Sequence, residues 1–218
     1  HIALGLIIPL AFALLLNEVR GKQLKRGIQT DVYMPHFLSW VILAFTFKQI
    51  FSGTGIVNQF IRMLGGSALP FMSNNFWFRV ILIGTAQWKE FGWGTIIYLS
   101  AILSIDPNLY EAAAIDGASR LKRMWHVTLP GIQPIVILKL TLALGSVLDA
   151  NFDQVFNMYN TLVYESADII DTYVYRLGMI NLQYSLSSAV GLLKSVISML
   201  LIVTAYKLAD RFAGYRIF

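Results

Sequence analysis

Five apolar stretches dominate this 218-residue chain: His1–Leu16, Pro35–Phe51, Phe76–Ser104, Ile132–Ala150 and Leu186–Leu208. A helix rises about 1.5 Å per residue, so about 20 residues cross a hydrocarbon layer of about 30 Å. Ile132–Ala150 fits that length directly, and the first stretch is cut short. Phe76–Ser104 is too long for one straight span. With Lys89, Glu90, Gly92 and Gly94 inside it, a tilted or broken helix is expected there. Residue 1 is His, with no initiator Met and no cleavable leader pattern. The chain therefore reads as a fragment lacking its N-terminal part.

Hydrophobic residues make up 56% of the chain and charged residues 13%, with a mean hydropathy of +0.62. A soluble domain has roughly 45–50% and about 25%. Disordered chains, coiled coils and ordinary nucleic-acid binders are excluded, and an all-α, polytopic integral membrane protein is expected. There is no cysteine, hence no disulfide frame, thiol nucleophile or Cys-based metal site.

The net charge of +5 is explained by its placement. If every stretch crosses once, Arg20, Lys22, Lys25, Arg26, Arg120, Lys122, Arg123, Lys207, Arg211 and Arg216 lie on one side. The opposite connections, 52–75 and 151–185, hold only Arg62 and Arg176. Ten against two is a positive-inside bias that places the C-terminus in the cytoplasm and calls for no nucleic acid. The outer segment 151–185, with Asp153, Glu165, Asp168 and Asp171, reads as short helices.

The cytoplasmic connection 105–131 carries the most informative pattern. Asp106 is a candidate N-cap, with Pro107 at the first helical position. Gly117 supplies a φ > 0 stop, and Ser119 caps a second short helix ending near Thr128, before Pro130. The result is a helix–Gly–helix elbow. Ala112, Ala113 and Ala114 allow close approach, Tyr110 and Ile115 can fill a pocket, and Glu111 can meet a cation. An ordinary capped connector has the same local signals.

The spacing E-A-A-x3-G-x9-I-x-L-P, present here as Glu111, Ala112, Ala113, Gly117, Leu129 and Pro130 with Val127 in place of Ile, resembles that of inner-membrane permease subunits of binding-protein-dependent ABC importers. The flanks Trp88–Gly94 and Asp171–Arg176 resemble the subgroup importing complex oligosaccharides and polysaccharide fragments. The resemblance implies a type I ABC importer permease fold in a bacterial inner membrane, as a single permease domain over 1–218. It also implies that the elbow is the coupling helix of a cytoplasmic ATPase, with Glu111 its salt-bridging residue. The implied partners are a second, paralogous permease, two ATPase subunits, an extracytoplasmic solute-binding protein and membrane lipid. ATP and Mg would sit on the ATPases and no cofactor on this chain. Members usually have six spans, against four complete ones and a partial one here.

The chain has no phosphate-cradling G-x-x-x-x-G-K-[ST] loop, so its energy must come from a partner. Three stripes could line a path or pack helices: Gln87, Glu90 and Gly94; Thr141, Gly145 and Asp149; Gly191, Ser195 and Ser198. Ionisable groups at depth usually face a cavity or a partner, which favours a path role for Lys89, Glu90 and Asp149. Lys89 and Glu90 are neighbours and are not expected to face each other. Trp88 and Trp93 could meet a sugar ring or anchor at an interface. Lys48, Arg79, Lys89, Lys139 and Lys194 against Glu90 and Asp149 leave five minus two, or +3, a weak pointer to an acidic glycan such as a uronate polymer. His1, His36 and His126 are scattered with no ligand spacing, and no G-x-S-x-G turn occurs. A membrane-embedded lipid- or glycan-modifying enzyme and an ion channel are the competing readings. The first needs clustered His, Asp or Glu at the interface; the second needs a symmetric pore ring.

Overall fold

A computed structural model describes the backbone of residues 2–213 and side chains to residue 210. His1 and Arg216 lie outside the described residues, as does the side chain of Arg211. The helices are α1 (Ile2–Asn17), α2 (Lys22–Tyr33), α3 (Trp40–Ile50), α4 (Ile56–Met63), α5 (Asn75–Leu103), α6 (Pro107–Ile115), α7 (Arg120–Arg123), α8 (Leu129–Gly131), α9 (Gln133–Gly145), α10 (Phe152–Met158), α11 (Tyr164–Ala167), α12 (Ile170–Tyr175) and α13 (Tyr184–Ala213). No strand occurs among the described residues.

The chain forms two compact units. One holds residues 1–36, 88–146 and 200–218; the other holds 37–87 and 147–199. In the first, Ala13, Tyr98, Ile102, Ile105 and Ile132 form a core on which Tyr110, Val127 and Leu129 pack. In the second, Trp40, Leu43, Ala44, Phe71, Phe78, Ile81 and Met158 do the same.

Several expected boundaries move. Phe76–Ser104 is one unbroken helix, α5, started by the Asn74 side chain, which accepts from Phe76 N at 2.9 Å and Trp77 N at 3.2 Å. Gly92 and Gly94 do not interrupt it, because an isolated glycine lowers helix propensity without removing a backbone hydrogen bond. Ile132–Ala150 contains only the 13 residues of α9, and Asp149 lies past its end. The last helix runs longer than expected, from Tyr184. Within 35–51, Met34–Phe37 is a 3-10 turn and α3 begins after Ser39, whose side chain accepts from Val41 N at 3.2 Å. The connections hide α2 and α4. Asn58 of α4 is buried, donating to Ser52 O at 2.9 Å and Leu69 O at 3.0 Å and accepting from Leu69 N at 2.8 Å. Segment 151–185 is built from short helices, as expected.

Among the described residues, Tyr184–Asp210 is long and apolar enough to cross a bilayer. Arg120–Gly131 and Gln133–Gly145, bent by 58°, qualify as one broken span. α5 has 29 residues, but Gln87, Lys89 and Glu90 dilute its middle.

Candidate functional site

The elbow is closed by its own backbone. Asp106 accepts from Asn108 N at 2.9 Å and Pro107 opens α6. At its end, Gly117 has φ +74°. The Gly117 amide donates to Ala114 O at 3.1 Å and the Ala118 amide donates to Ala113 O at 2.9 Å. These are the paired bonds that satisfy the last carbonyls of a helix when a left-handed residue follows it. Ser119 then caps α7, accepting from Lys122 N at 3.4 Å. The second arm does not stop before Pro130: a π turn, Met124–Thr128, leads into α8, with Pro130 in its first turn. Thr128 and Leu129 both have helical dihedrals, so Pro130 lies inside a continuous run beside the π turn, where its missing amide leaves one ladder bond unmade.

The elbow's side chains divide in two. Tyr110 turns inward, with its hydroxyl 3.0 Å from that of Thr128, so it braces the two arms. Leu129 also packs on the core of its own unit. Glu111, Ala112 and Ile115 face outward, Ile115 being 87% exposed, and Ala113 is half-buried. Glu111 forms no ion pair among the described residues, whereas Arg120 approaches Glu18 at 3.9 Å.

A polar cluster sits midway along α5. Contrary to expectation, Lys89 and Glu90 do meet, with Nζ 3.5 Å from Oε1. Both long side chains bend toward His36: the ammonium of Lys89, buried at 5% exposure, donates to the His36 carbonyl, and Glu90 Oε2 lies 2.9 Å from His36 Nδ1. The His36 ring stacks on Trp93, with centroids 4.5 Å apart. His36 is thus a hub that spacing rules for metal ligands could not reveal. Trp88 is exposed on the same helix, and Gln87 is buried. Lys139 donates to Gly94 O at 3.1 Å and lies 4.4 Å over the Tyr98 ring.

The stripe Thr141–Gly145–Asp149 is not one face, because α9 ends at Gly145. Thr141 donates to Ile137 O at 2.9 Å. A Cβ on Gly145 would fall 2.2 Å from Cγ1 of Ile202, so that glycine permits a close helix contact. Asp149 instead binds Lys194 at 2.7 Å, and Asp171 binds the same ammonium at 2.6 Å. The Lys89–Glu90 and Lys194–Asp149 pairs join charges already set against each other in the count of five minus two, and Asp171 is the one added carboxylate, lowering +3 to +2. The Gly191, Ser195 and Ser198 stripe finds no partner at Gly191, where a Cβ would meet nothing within 4 Å.

In the outer segment, Arg176 grips Asp168 through both guanidinium NH groups, one at 2.8 Å to Oδ1. Thr172 adds a 2.6 Å bond to Asp168. The guanidinium holds the Asp168 carboxyl below its ordinary pKa and is itself raised by that carboxylate. Arg176 also lies 4.8 Å over the Tyr164 ring.

No group of three or more His, Asp or Glu able to hold a metal occurs among the described residues.

Comparison with known proteins gives this geometry a context. The chain is 47% identical over 205 residues to protein LplB of Bacillus subtilis, covering 94% of this chain and 64% of LplB. It is 43% identical over 213 residues to the polygalacturonan/rhamnogalacturonan transport system permease protein YteP of the same organism, covering 97% and 66%. It thus spans just under two thirds of each relative's length. Its fold matches that of a chain in the crystal structure of a bacterial alginate ABC transporter in complex with an alginate pentasaccharide-bound periplasmic protein. The TM-score is 0.93 at 36% identity, over 98% of this chain and 74% of that one. A second alginate importer structure gives 0.92 at 37% identity, over 95% and 73%. The family described as binding-protein-dependent transport system inner membrane component matches residues 3–214, and the chain belongs to that family.

Proposed function

We propose that this chain is a multi-pass permease subunit forming half of the translocation path of an ATP-driven importer for oligosaccharides or polysaccharide fragments, acidic ones in particular. The carrying observation is the elbow: a backbone-closed turn that leaves Glu111 and Ile115 facing outward. Residues 106–130 then face the cytoplasm with the C-terminus, and Glu111, Ala112, Ala113 and Gly117 form the seat for an ATPase subunit. Leu129 and Pro130 join that seat to α9. Closure of two ATPase subunits on ATP and Mg draws two such elbows together, and a rigid-body rocking of the helices alternates access. A second permease and a solute-binding protein complete the assembly.

The acidic class is supported by the relatives named for polygalacturonan and alginate. Gln87, Trp88, Lys89, Glu90, Trp93, Gly145 and Asp149 remain the proposed path residues. Gly145 serves it by packing, and Asp149 from the segment beyond α9. The family assignment favours this reading over a membrane enzyme.

The test is uptake in proteoliposomes holding the permease with its partners, offered galacturonate and mannuronate oligomers and neutral glucan oligomers. ATP-dependent entry of the oligouronates is expected. Entry of neutral oligomers alone would overturn the acidic class, and ATP-independent entry would overturn the importer.

A further inference from the structure

We infer that Lys194 is a docking point for a substrate carboxylate, and that Asp149 is a built-in stand-in which that carboxylate displaces. The inference deepens the acidic-glycan reading above and rests on it.

The starting observation is a stoichiometric mismatch. One ammonium, 15% exposed, receives two carboxylates: Asp149 Oδ1 at 2.7 Å and Asp171 Oδ1 at 2.6 Å. One positive charge balances one carboxylate, so the cluster carries a surplus negative charge. Two like charges sharing one ammonium oppose each other. One of the two is therefore the more weakly held.

The setting identifies which. Asp171 lies on α12, is 28% exposed, and precedes the fully buried Thr172. Asp149 is 62% exposed and lies between the end of α9 and the start of α10, outside any helix. Asp149 can turn into water without breaking a helical hydrogen bond. Asp171, anchored on α12 and less exposed, has less freedom to swing into water. Lys194 itself is held in the middle of a helical run, on α13.

A uronate ring carries the same functional group as Asp149: a planar carboxylate with one negative charge. When it takes the place of Asp149, the ammonium keeps two oxygen partners, and the displaced Asp149 gains full hydration. The exchange conserves charge and makes no net demand on the cluster. A neutral sugar offers no group able to replace the carboxylate, so Asp149 stays in place. The arrangement therefore selects for an acidic ligand, while Asp171 keeps Lys194 compensated whichever carboxylate holds the second place.

The experiment uses the permease reconstituted with its partners and measures KM and maximal rate for a galacturonate oligomer and a neutral oligomer of equal length. Asp149→Asn removes the competitor and is expected to lower KM for the oligouronate by about threefold to tenfold, and to shift KM for the neutral oligomer by less. Lys194→Gln is expected to raise KM for the oligouronate by about tenfold or more, and Lys194→Arg to recover most of it. If Asp149→Asn leaves the oligouronate KM unchanged, raises it, or shifts both substrates equally, the exchange is overturned and the cluster is a structural ion pair. If the unmodified permease imports no oligouronate, the acidic-glycan reading itself fails, a result distinct from the first. Should Lys194→Gln fail to assemble, Asp149→Asn decides alone.

Discussion

The Tyr110 hydroxyl lies 3.0 Å from the Thr128 hydroxyl, across 18 positions of sequence. This bond ties the first helix of the elbow to the π turn of its second arm, and Thr128 is buried. Tyr110→Phe leaves a buried hydroxyl without that partner, which costs about 1 kcal/mol. The expected result is a lower melting temperature in detergent and more ATP hydrolysed per sugar imported, with membrane insertion unchanged. An unaltered ratio of hydrolysis to uptake would mean the brace carries no force.

A Cβ added at Gly117 would meet nothing within 4 Å, so the requirement there is for conformation and not for space. At φ +74° a side chain costs about 1–2 kcal/mol, so Gly117→Ala should lose stability on that scale. Gly117→Pro cannot adopt the angle at all and should uncouple ATP hydrolysis from uptake. Glu111→Lys should uncouple as well, by charge reversal on an outward face. It should leave melting unchanged, because Glu111 forms no ion pair among the described residues. Uptake at the normal rate by both variants would remove the elbow from the mechanism.

Gly145 is the opposite case: its demand is for space. A Cβ would sit 2.2 Å from Cγ1 of Ile202. Gly145→Val overpacks this contact and should destabilise by about 1–3 kcal/mol. Ile202→Ala in the same chain should recover part of that loss, and a double-mutant cycle on melting measures the coupling. Strict additivity would mean the two helices do not meet there.

In the outer segment, Arg176 depresses the pKa of Asp168. A carboxyl lowered in the folded state contributes stability above its unfolded pKa of about 4, and loses it as pH falls through the lower folded value. Asp168→Asn should therefore melt below the unmodified protein at pH 7. The gap should hold down to about pH 4 and close below it. A gap independent of pH would assign the effect to packing.

Much of this is legible in the sequence, and what is not has a physical cause. Caps are local, so Asp106, Pro107, Gly117 and Ser119 announce the elbow correctly. The continuation through Pro130 is not legible, because a π turn leaves no periodic signature over five residues. Adjacent Lys89 and Glu90 are expected to diverge, as their Cβ atoms do on a helix. A third group, His36, lies 53 positions from Lys89 and draws both flexible stems to one point. Asp149 falls on the α9 face only by extrapolating a period past the point where the helix ends. Lys194 looks like free positive charge because Asp171, 23 positions away, lies outside the apolar stretch that frames the count. Long-range pairing of ionisable groups is a property of tertiary contact, and no local spacing encodes it.

The turn after α6 is closed by two main-chain bonds and one glycine dihedral, with no side chain of the outward face taking part. Shape and address are thereby separate properties of the same nine-residue helix. On the proposed function, residues 111, 112, 114 and 115 can be rewritten to suit a different motor while the angle at which the stroke arrives stays fixed. A transporter so built would change its engine without being re-geared.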